Sequence, residues 1–202
     1  MREPHLSSLR RSAVAVASMA AALGAGGPAL ADVRSAFQTL CIATDGREDR
    51  IEAAAVESDW QPAPDNVLAR YRSADASVVG FVHVVPGAGP GDVVVLTTKN
   101  ELQMQAGVPV RMSVCRAQGA AAPTLEADLS AQLGPGVRTP EGLRWAFTKS
   151  DGQIVPQPGL LEGGDGRRGQ LIAQGAIYEA TLSPGSGGRA TLQLTTWRRP
   201  GS

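Results

Sequence analysis

The hydrophobic pattern of this chain changes its period once along the sequence, and that change constrains the fold more than any other feature. Before residue 60, apolar residues recur at the three- and four-residue spacing of amphipathic helices. From residue 77 onward, short runs rich in valine are separated by stretches of glycine and proline. Parallel strands would need a long crossover between nearly every pair. The pattern therefore predicts an α+β domain with two N-terminal helices, followed by a mostly antiparallel sheet of about five to six strands with one inserted helix.

The spacing of apolar residues also predicts where the individual elements lie. Helices are expected at residues 32–43, 47–58 and 124–133, and strands at 77–85, 92–99, 108–116, 143–148, 170–182 and 190–198. A glycine-rich turn at 183–188 should join the last two strands as a hairpin. Residues 60–76 fit either a loop or one short helical turn, and residues 153–169 are predicted to form an irregular, mobile loop.

Residues 1–31 have the three parts of a cleavable bacterial signal peptide. Three arginines form a basic start, an uncharged run rich in alanine follows at 12–23, and glycines and a proline end that run at 24–28. An uncleaved membrane anchor is the alternative, but a spanning helix needs about 20 mostly apolar residues and this run is shorter. The neighbouring Arg10 and Arg11 leave the twin-arginine export route open beside the general one.

Small residues at positions 29 and 31 predict cleavage between Ala31 and Asp32. This divides the chain into a signal peptide, 1–31, and a single α+β domain, 32–202. We therefore expect a periplasmic or secreted product with no stable membrane insertion after cleavage. The domain keeps 16 basic and 18 acidic side chains, a net charge of about −2. Because these charges are interspersed and sum to a slightly negative value, we predict no nucleic-acid partner.

The predicted domain contains two cysteines, Cys41 and Cys115. Cys41 shares a helical stripe with Phe37 and is expected to be buried. Strand parity groups Cys115 with Arg111 and Ser113, on the polar side of its strand. An even count in an oxidising compartment predicts one structural disulfide between Cys41 and Cys115. For that, a bulge or an edge position would have to turn Cys115 inward, and a free or intermolecular thiol is the alternative.

His83 is the only histidine after the predicted cleavage site, so histidine-dependent serine or cysteine hydrolysis would have to use it. It shares strand parity with Val79 and Phe81, where a hydrogen-bonded structural histidine is the ordinary expectation. Cys41 and Cys115 are its conceivable thiol partners. One histidine, two cysteines and scattered carboxylates show no metal-ligand spacing, so we predict no metal site and no cofactor.

Two further patterns are candidates for ligand sites. Gly164, Gly166 and Gly169 fit the G-x-G-x-x-G spacing of dinucleotide-binding loops. Such a loop needs a preceding βαβ unit and a following helix, whereas a strand is predicted to follow, so we interpret the glycines as a flexible hairpin loop. The three tryptophans are expected to anchor the core, and Trp197 is kept beside His83 as a candidate ligand-contacting residue.

A resemblance to a group of proteins rests on four residues and the alanine-rich helix after the first two of them. Phe37, Cys41, Trp60 and the later strand cysteine Cys115 resemble the pattern of small uncharacterised exported bacterial proteins. The resemblance covers part of the chain. It implies export and paired cysteines, and it implies no catalytic residue.

These observations lead to one function hypothesis and two alternatives. The first is an exported, non-enzymatic domain that binds an envelope protein or a small ligand. The second is a small cell-envelope hydrolase whose active site combines dispersed carboxylates, or pairs Cys41 with His83, only in the folded chain. The third is an envelope stress or assembly accessory, which would need an exposed apolar patch instead of a pocket.

Overall fold

The computed structural model describes residues 32–72, 77–84, 93–105, 107–163 and 165–201. The predicted signal peptide and the predicted cleavage residue Ala31 lie outside these ranges. Residues 86–91, which join the predicted strands at 77–85 and 92–99, also lie outside them, together with residues 85 and 92 of those strands. In the ranges that are described, no helix is long and apolar enough to span a membrane.

Two helical segments begin the described chain, as the apolar spacing predicts. α1 (Val33–Ala36) continues directly into a π-helical segment (Phe37–Ile42), and α2 (Glu48–Glu57) follows. The side chain of Asp32 caps α1 by accepting a hydrogen bond from the Ser35 N–H at 2.6 Å. The later helices are α3 (Asp65–Leu68), α4 (Leu125–Leu133), a 3-10 turn (Pro158–Leu160) and α5 (Asp165–Gln174).

The strands of the described residues form one sheet in which every pair is antiparallel. They are β1 (Gln61–Pro62), β2 (Ser77–Val84), β3 (Val93–Gln105), β4 (Val108–Ala120), β5 (Val137–Thr139), β6 (Gly142–Ser150), β7 (Gln153–Pro156), β8 (Ala176–Pro184) and β9 (Arg189–Arg198). Their order is β1-β2-β3-β4-β9-β8-β6-β5, and β7 also pairs with β6. The last two strands form the predicted hairpin.

The mixture of helix and antiparallel sheet is confirmed, but the sheet has more strands than predicted. The difference comes from β1, β5 and β7, which contain two, three and four residues. A period of two residues cannot be recognised over so few positions, so these short edge strands leave no signal in the sequence. α3 also shows that the undecided stretch at 60–76 contains one short helical turn.

Residues 153–182 differ from the prediction of a mobile loop followed by a strand. This region contains β7, the 3-10 turn and α5, and β8 begins only at Ala176. Gly166 and Gly169 lie inside α5, where each glycine lowers helix propensity by about 1 kcal/mol. Ile172 of α5 is fully buried against the sheet. Tertiary packing therefore stabilises a helix that local propensity does not predict.

Both faces of the sheet carry apolar clusters. The helix-covered face lies under α1, the π-helical segment, α2 and α4, and its largest fully buried side chains include Phe37, Leu40, Trp145, Phe147 and Leu192. Trp60 also belongs to this core, as expected for a core tryptophan. The opposite face, which we call the outer face, has a smaller cluster beneath the 3-10 turn and α5, formed by Val110, Ala146, Leu160, Ile172 and Ile177.

Cys115 lies on the helix-covered face, so its assignment to a polar side of the strand was wrong. Ser113, Cys115 and Ala117 are all buried toward this face, while Val114 is half-buried on the outer face. The parity argument failed because both faces are partly covered here, and the helix-covered face holds the smaller side chains. The Sγ atoms of Cys41 and Cys115 are 1.98 Å apart, in a disulfide bond that joins the π-helical segment to the middle of β4.

Candidate functional site

Part of the outer face remains open between two coverings. α5 and the 3-10 turn cover one side of it. On the other side Tyr71, which follows α3, lies against Arg116 and Gln118 of β4. Between these coverings is a groove of about 600 Å³ above β4, β9, β8 and β6. We call it the polar groove, and its floor is defined by Arg116, Gln118, Arg144, Thr181, Thr191 and Gln193.

The strand register arranges these side chains in rows across the sheet. Arg116 pairs with Gln193, Gln193 with Thr181, and Thr181 with Arg144. Residues directly opposite each other in an antiparallel sheet point to the same face, so these four form one polar row over four strands. The arginines are its two ends, and three strand spacings separate their Cα atoms by about 14 Å. A parallel row consists of Gln118, Thr191 and Ser183.

Arg116 is held in the groove by uncharged partners. Its Nε and Nη2 atoms donate hydrogen bonds to the side-chain oxygen of Gln193, at 3.1 and 2.6 Å. Its guanidinium lies 5.7 Å from the ring centre of Tyr71, whose hydroxyl donates to the side-chain oxygen of Gln118 at 3.0 Å. Among the described residues, no carboxylate lies within ion-pair distance of Arg116. The groove therefore contains a positioned positive charge that these contacts do not neutralise.

At the other end of the groove, Glu179 joins two arginines. Its carboxylate is almost fully buried and accepts hydrogen bonds from Arg144 Nη2 at 2.6 Å and from Arg168 Nη2 at 2.5 Å. The Arg168 guanidinium lies 5.0 Å from the ring centre of Trp197. A carboxylate bound by two guanidiniums is suited to positioning those groups and poorly suited to accepting a proton from a substrate.

The two candidate site residues lie in different places: Trp197 lies at the polar groove, whereas His83 does not. Trp197 lines the groove and is half-buried against the apolar cluster of the outer face. His83 lies on β2, and its ring centre is 5.2 Å from that of Trp60, which belongs to the core of the helix-covered face. The expected hydrogen bond of a structural histidine is missing at Nδ1, which is buried without a partner among the described residues. The ring packs against Trp60 instead.

The hypothesis of a catalytic pair formed by Cys41 and His83 is not supported by the structure. The sulfur atoms of Cys41 and Cys115 are bonded to each other. No thiolate is then available to attack a substrate, since a disulfide sulfur has no ionisable proton. His83 therefore has neither of its two conceivable thiol partners.

A partly buried polar network lies on the helix-covered face, under the turn between the π-helical segment and α2. Asp45 in this turn has a φ of 60°, in the left-handed region where asparagine and aspartate are enriched among the residues other than glycine. Its Oδ1 atom accepts hydrogen bonds from Lys149 Nζ at 2.6 Å and from the Tyr178 hydroxyl at 3.0 Å. Burial, and then the negative charge of Asp45, raise the pKa of Tyr178 well above its ordinary value. The network fixes the turn on the sheet with Tyr178 as a neutral phenol.

Metal and nucleotide chemistry find no support in this arrangement. Within the described ranges, no group of three histidine, cysteine, aspartate or glutamate side chains could hold a metal ion. Gly164 lies outside the described residues, and Gly166 and Gly169 lie inside α5, not in a loop before it. The strands on either side of α5, β7 and β8, are separated by β6, which pairs with both in antiparallel fashion, so α5 does not connect adjacent parallel strands as the helix of a dinucleotide site does.

Sequence reasoning did not identify the polar groove, although part of its pattern is visible in one strand. In β9, Thr191, Gln193 and Thr195 alternate with buried Leu192 and Leu194. This alternation shows that one face of β9 is polar, but it does not show which polar residues of other strands lie beside it. Arg116 and Arg144 are brought into one row only by the pairing of both strands with the β8–β9 hairpin.

Comparisons with known proteins give no further assignment of these residues. No family model, no curated protein and no solved structure matches this chain. The roles assigned to the polar groove therefore rest on its geometry and charge alone.

Proposed function

We propose that the protein is an exported binding domain whose polar groove takes a hydroxyl-rich ligand that carries acidic groups. The observation that carries the proposal is Arg116, a groove side chain whose charge is met only by uncharged partners among the described residues. It stands at one end of the polar row over four strands, whose two middle members, Gln193 and Thr181, are uncharged hydrogen-bonding side chains. A ligand with a carboxylate near Arg116 would supply the missing countercharge.

The chemistry of the row supports a ligand with many hydroxyl groups. Gln193 and Thr181 can each donate and accept hydrogen bonds, so they match hydroxyls, which do the same. Trp197 adds a partly exposed aromatic surface at the edge of the groove. An acidic oligosaccharide, such as an oligomer of a uronic acid, combines hydroxyls and carboxylates along an extended chain and fits this description.

Export to the periplasm or the extracellular space is the second part of the proposal. It is supported by the signal-peptide pattern of residues 1–31 and by the disulfide between Cys41 and Cys115. Disulfides persist in oxidising compartments and are rare in the bacterial cytoplasm.

The binding proposal is tested by titrating the purified mature protein with oligogalacturonate and with a neutral glucose oligomer of the same length. Trp197 reports binding by its fluorescence, because Trp60 and Trp145 are buried in the core. We expect a saturable signal with the uronate oligomer that is lost in Trp197→Phe, and calorimetry should give the same affinity. A signal that is absent, or equal for the neutral oligomer, would contradict the proposal.

The role of Arg116 is tested with a charge-matched control. A hydrogen bond to a charged group contributes about 1.5–3 kcal/mol, so Arg116→Gln should weaken uronate binding about 10- to 100-fold. Arg138→Gln removes the same charge from an exposed side chain of β5 whose ion-pair partner is Glu126. The control should bind like the unaltered protein. Equal losses in both variants would show a general charge effect and not a site.

Export is tested on protein recovered from the periplasmic fraction and from the medium. Mass spectrometry should show an N-terminus at Asp32 and no cysteine that reacts with an alkylating reagent before reduction. Recovery only from the cytoplasm, with residues 1–31 still attached, would refute this part of the proposal and leave the binding test unaffected.

A further inference from the structure

A second open pocket lies on the helix-covered face, at the beginning of β4 and the end of β9. It has a volume of about 590 Å³ and adjoins the N-terminus of α2. We call it the arginine pocket and define it by Arg47, Arg111 and Arg198, three of the arginines that line it. It is separate from the polar groove, because the sheet lies between them.

Two of these arginines face each other directly across the strand pair. The register pairs Arg111 of β4 with Arg198 of β9. Like charges directly opposite each other in a sheet repel and destabilise the pair. In the part of the chain that the structure describes, no carboxylate lies within ion-pair distance of either guanidinium. The fold therefore holds two positive charges together without a countercharge between them.

Arg198 is also the more deeply buried of the two. It is 9% exposed, and it donates hydrogen bonds to the Asp45 carbonyl at 3.4 Å and to the Ser113 hydroxyl at 3.0 Å. Both partners are neutral acceptors, so they orient the guanidinium without compensating its charge. Burial, followed by the charges of Arg47 and Arg111, lowers the pKa of Arg198, and the opposing effect of the negative charge of Asp45 is smaller.

The carboxylates on the opposite wall of the pocket belong to α2, and they do not form ion pairs with Arg111 or Arg198 among the described residues. Asp49 interacts with Arg47, whose Nε lies 3.4 Å from its Oδ1 atom. Glu48 and Glu52 stand on the same helix and line the pocket with it. The acidic groups therefore stand on the wall formed by α2, whereas the wall formed by β4 and β9 keeps its two opposed arginines.

We propose that the arginine pocket binds an oxyanion, the carboxylate or phosphate group of a small molecule, between Arg111 and Arg198. Two guanidiniums can each donate paired hydrogen bonds to such a group, and the anion replaces their repulsion by attraction. The volume is within the usual range for small-molecule sites. The proposal does not depend on the function proposed for the polar groove.

The test is the thermal unfolding of the mature protein in increasing inorganic phosphate or succinate, with sodium chloride at equal ionic strength as the reference. A ligand that binds only the folded state raises the Tm by mass action. We expect a saturable rise with phosphate, with succinate or with both, and none with chloride beyond its effect as a salt. The two arms tell a phosphate site from a carboxylate site. If neither phosphate nor succinate raises the Tm more than sodium chloride does, the proposal is wrong.

Variants distinguish this pocket from other arginines. Arg111 is exposed and forms no ion pair with another described residue, so the Arg111→Gln variant should fold. Relief of the repulsion should raise its Tm without anion, and the anion response should disappear. Arg138→Gln and Arg116→Gln, which remove charges elsewhere, should keep the full response. As a second measurement, the Nε–H resonances of Arg111 and Arg198 should shift saturably with the active anion. An unchanged response in Arg111→Gln, or stationary resonances, would refute the site.

Discussion

Replacing Glu179 by glutamine should destabilise the protein far more than the same replacement at Glu126. The side chain of Glu179 is 6% exposed, and its carboxylate is bound by Arg144 and Arg168. The variant keeps the size of the side chain but leaves two guanidiniums without their countercharge. Breaking a buried ion pair in this way costs about 3–5 kcal/mol. Because Arg144 is 31% exposed and water can screen it, we expect the lower end, about 3 kcal/mol.

Glu126 provides the matched control. It forms an ion pair with Arg138 at 2.6 Å, but the two side chains are 48% and 73% exposed. Exposed pairs of this kind contribute about 0–1 kcal/mol, so Glu126→Gln should have a small effect. The two variants make the same chemical change and differ in burial and in the number of arginine partners.

The assay is equilibrium unfolding in urea, followed by circular dichroism. Both variants should keep the urea dependence of the unfolding free energy, and only Glu179→Gln should lower the midpoint strongly. If Glu179→Gln loses less than about 1 kcal/mol, or no more than Glu126→Gln, then the triad of Glu179, Arg144 and Arg168 does not stabilise the fold as a buried ion pair.

Three other changes test different parts of the structure. Replacing both Cys41 and Cys115 by serine should cost about 4 kcal/mol, the chain-entropy value for a separation of 74 residues, and reductant should then no longer affect the urea midpoint. The pKa of Tyr178 is raised above its ordinary value of 10.0. The stabilisation that the neutral phenol provides is therefore complete when the pH is below 10.0, and it falls as the pH rises above that value. In a Tyr71→Phe variant, phenolate absorbance should therefore appear only together with unfolding, and its appearance in the folded protein would contradict the network around Tyr178. Gly142→Ala would place a Cβ atom 2.1 Å from a main-chain oxygen of β8, so we expect a loss of about 2 kcal/mol or more in the urea midpoint assay, and an unchanged midpoint would show that β6 and β8 are not so closely paired there.

The parts of the fold that could be predicted from the sequence are those with long, regular apolar patterns. In β6, Leu143, Trp145 and Phe147 alternate with more polar residues, and all three are buried on the helix-covered face, as the pattern predicts. The stripe that ends at Cys41 likewise forms the first helical segment. Each of these signals is local, because it depends only on neighbours within the same element.

The parts that could not be predicted depend on contacts between distant residues. α5 is stabilised by Ile172 against the sheet, while its two glycines locally disfavour a helix. The orientation of Cys115 depends on which face of β4 the N-terminal helices cover. The polar groove needs the register of four strands, and the candidate Trp197 could be named only as an aromatic residue without known neighbours. His83 is a candidate because histidine is rare in this chain, and rarity contains no information about packing.

The pairing of β4 with β9 has a consequence for how this protein can evolve. On β4, Arg111 and Arg116 are five positions apart, and on β9 the same distance separates Gln193 from Arg198. Because five is an odd number and successive side chains alternate between faces, the two residues named on each strand point to opposite faces of the sheet. Point substitutions can therefore change either surface while leaving the other intact. A single insertion or deletion within these stretches would instead exchange the faces of all residues beyond it. Natural variants of this protein should accordingly differ in the identity of these residues and preserve their number.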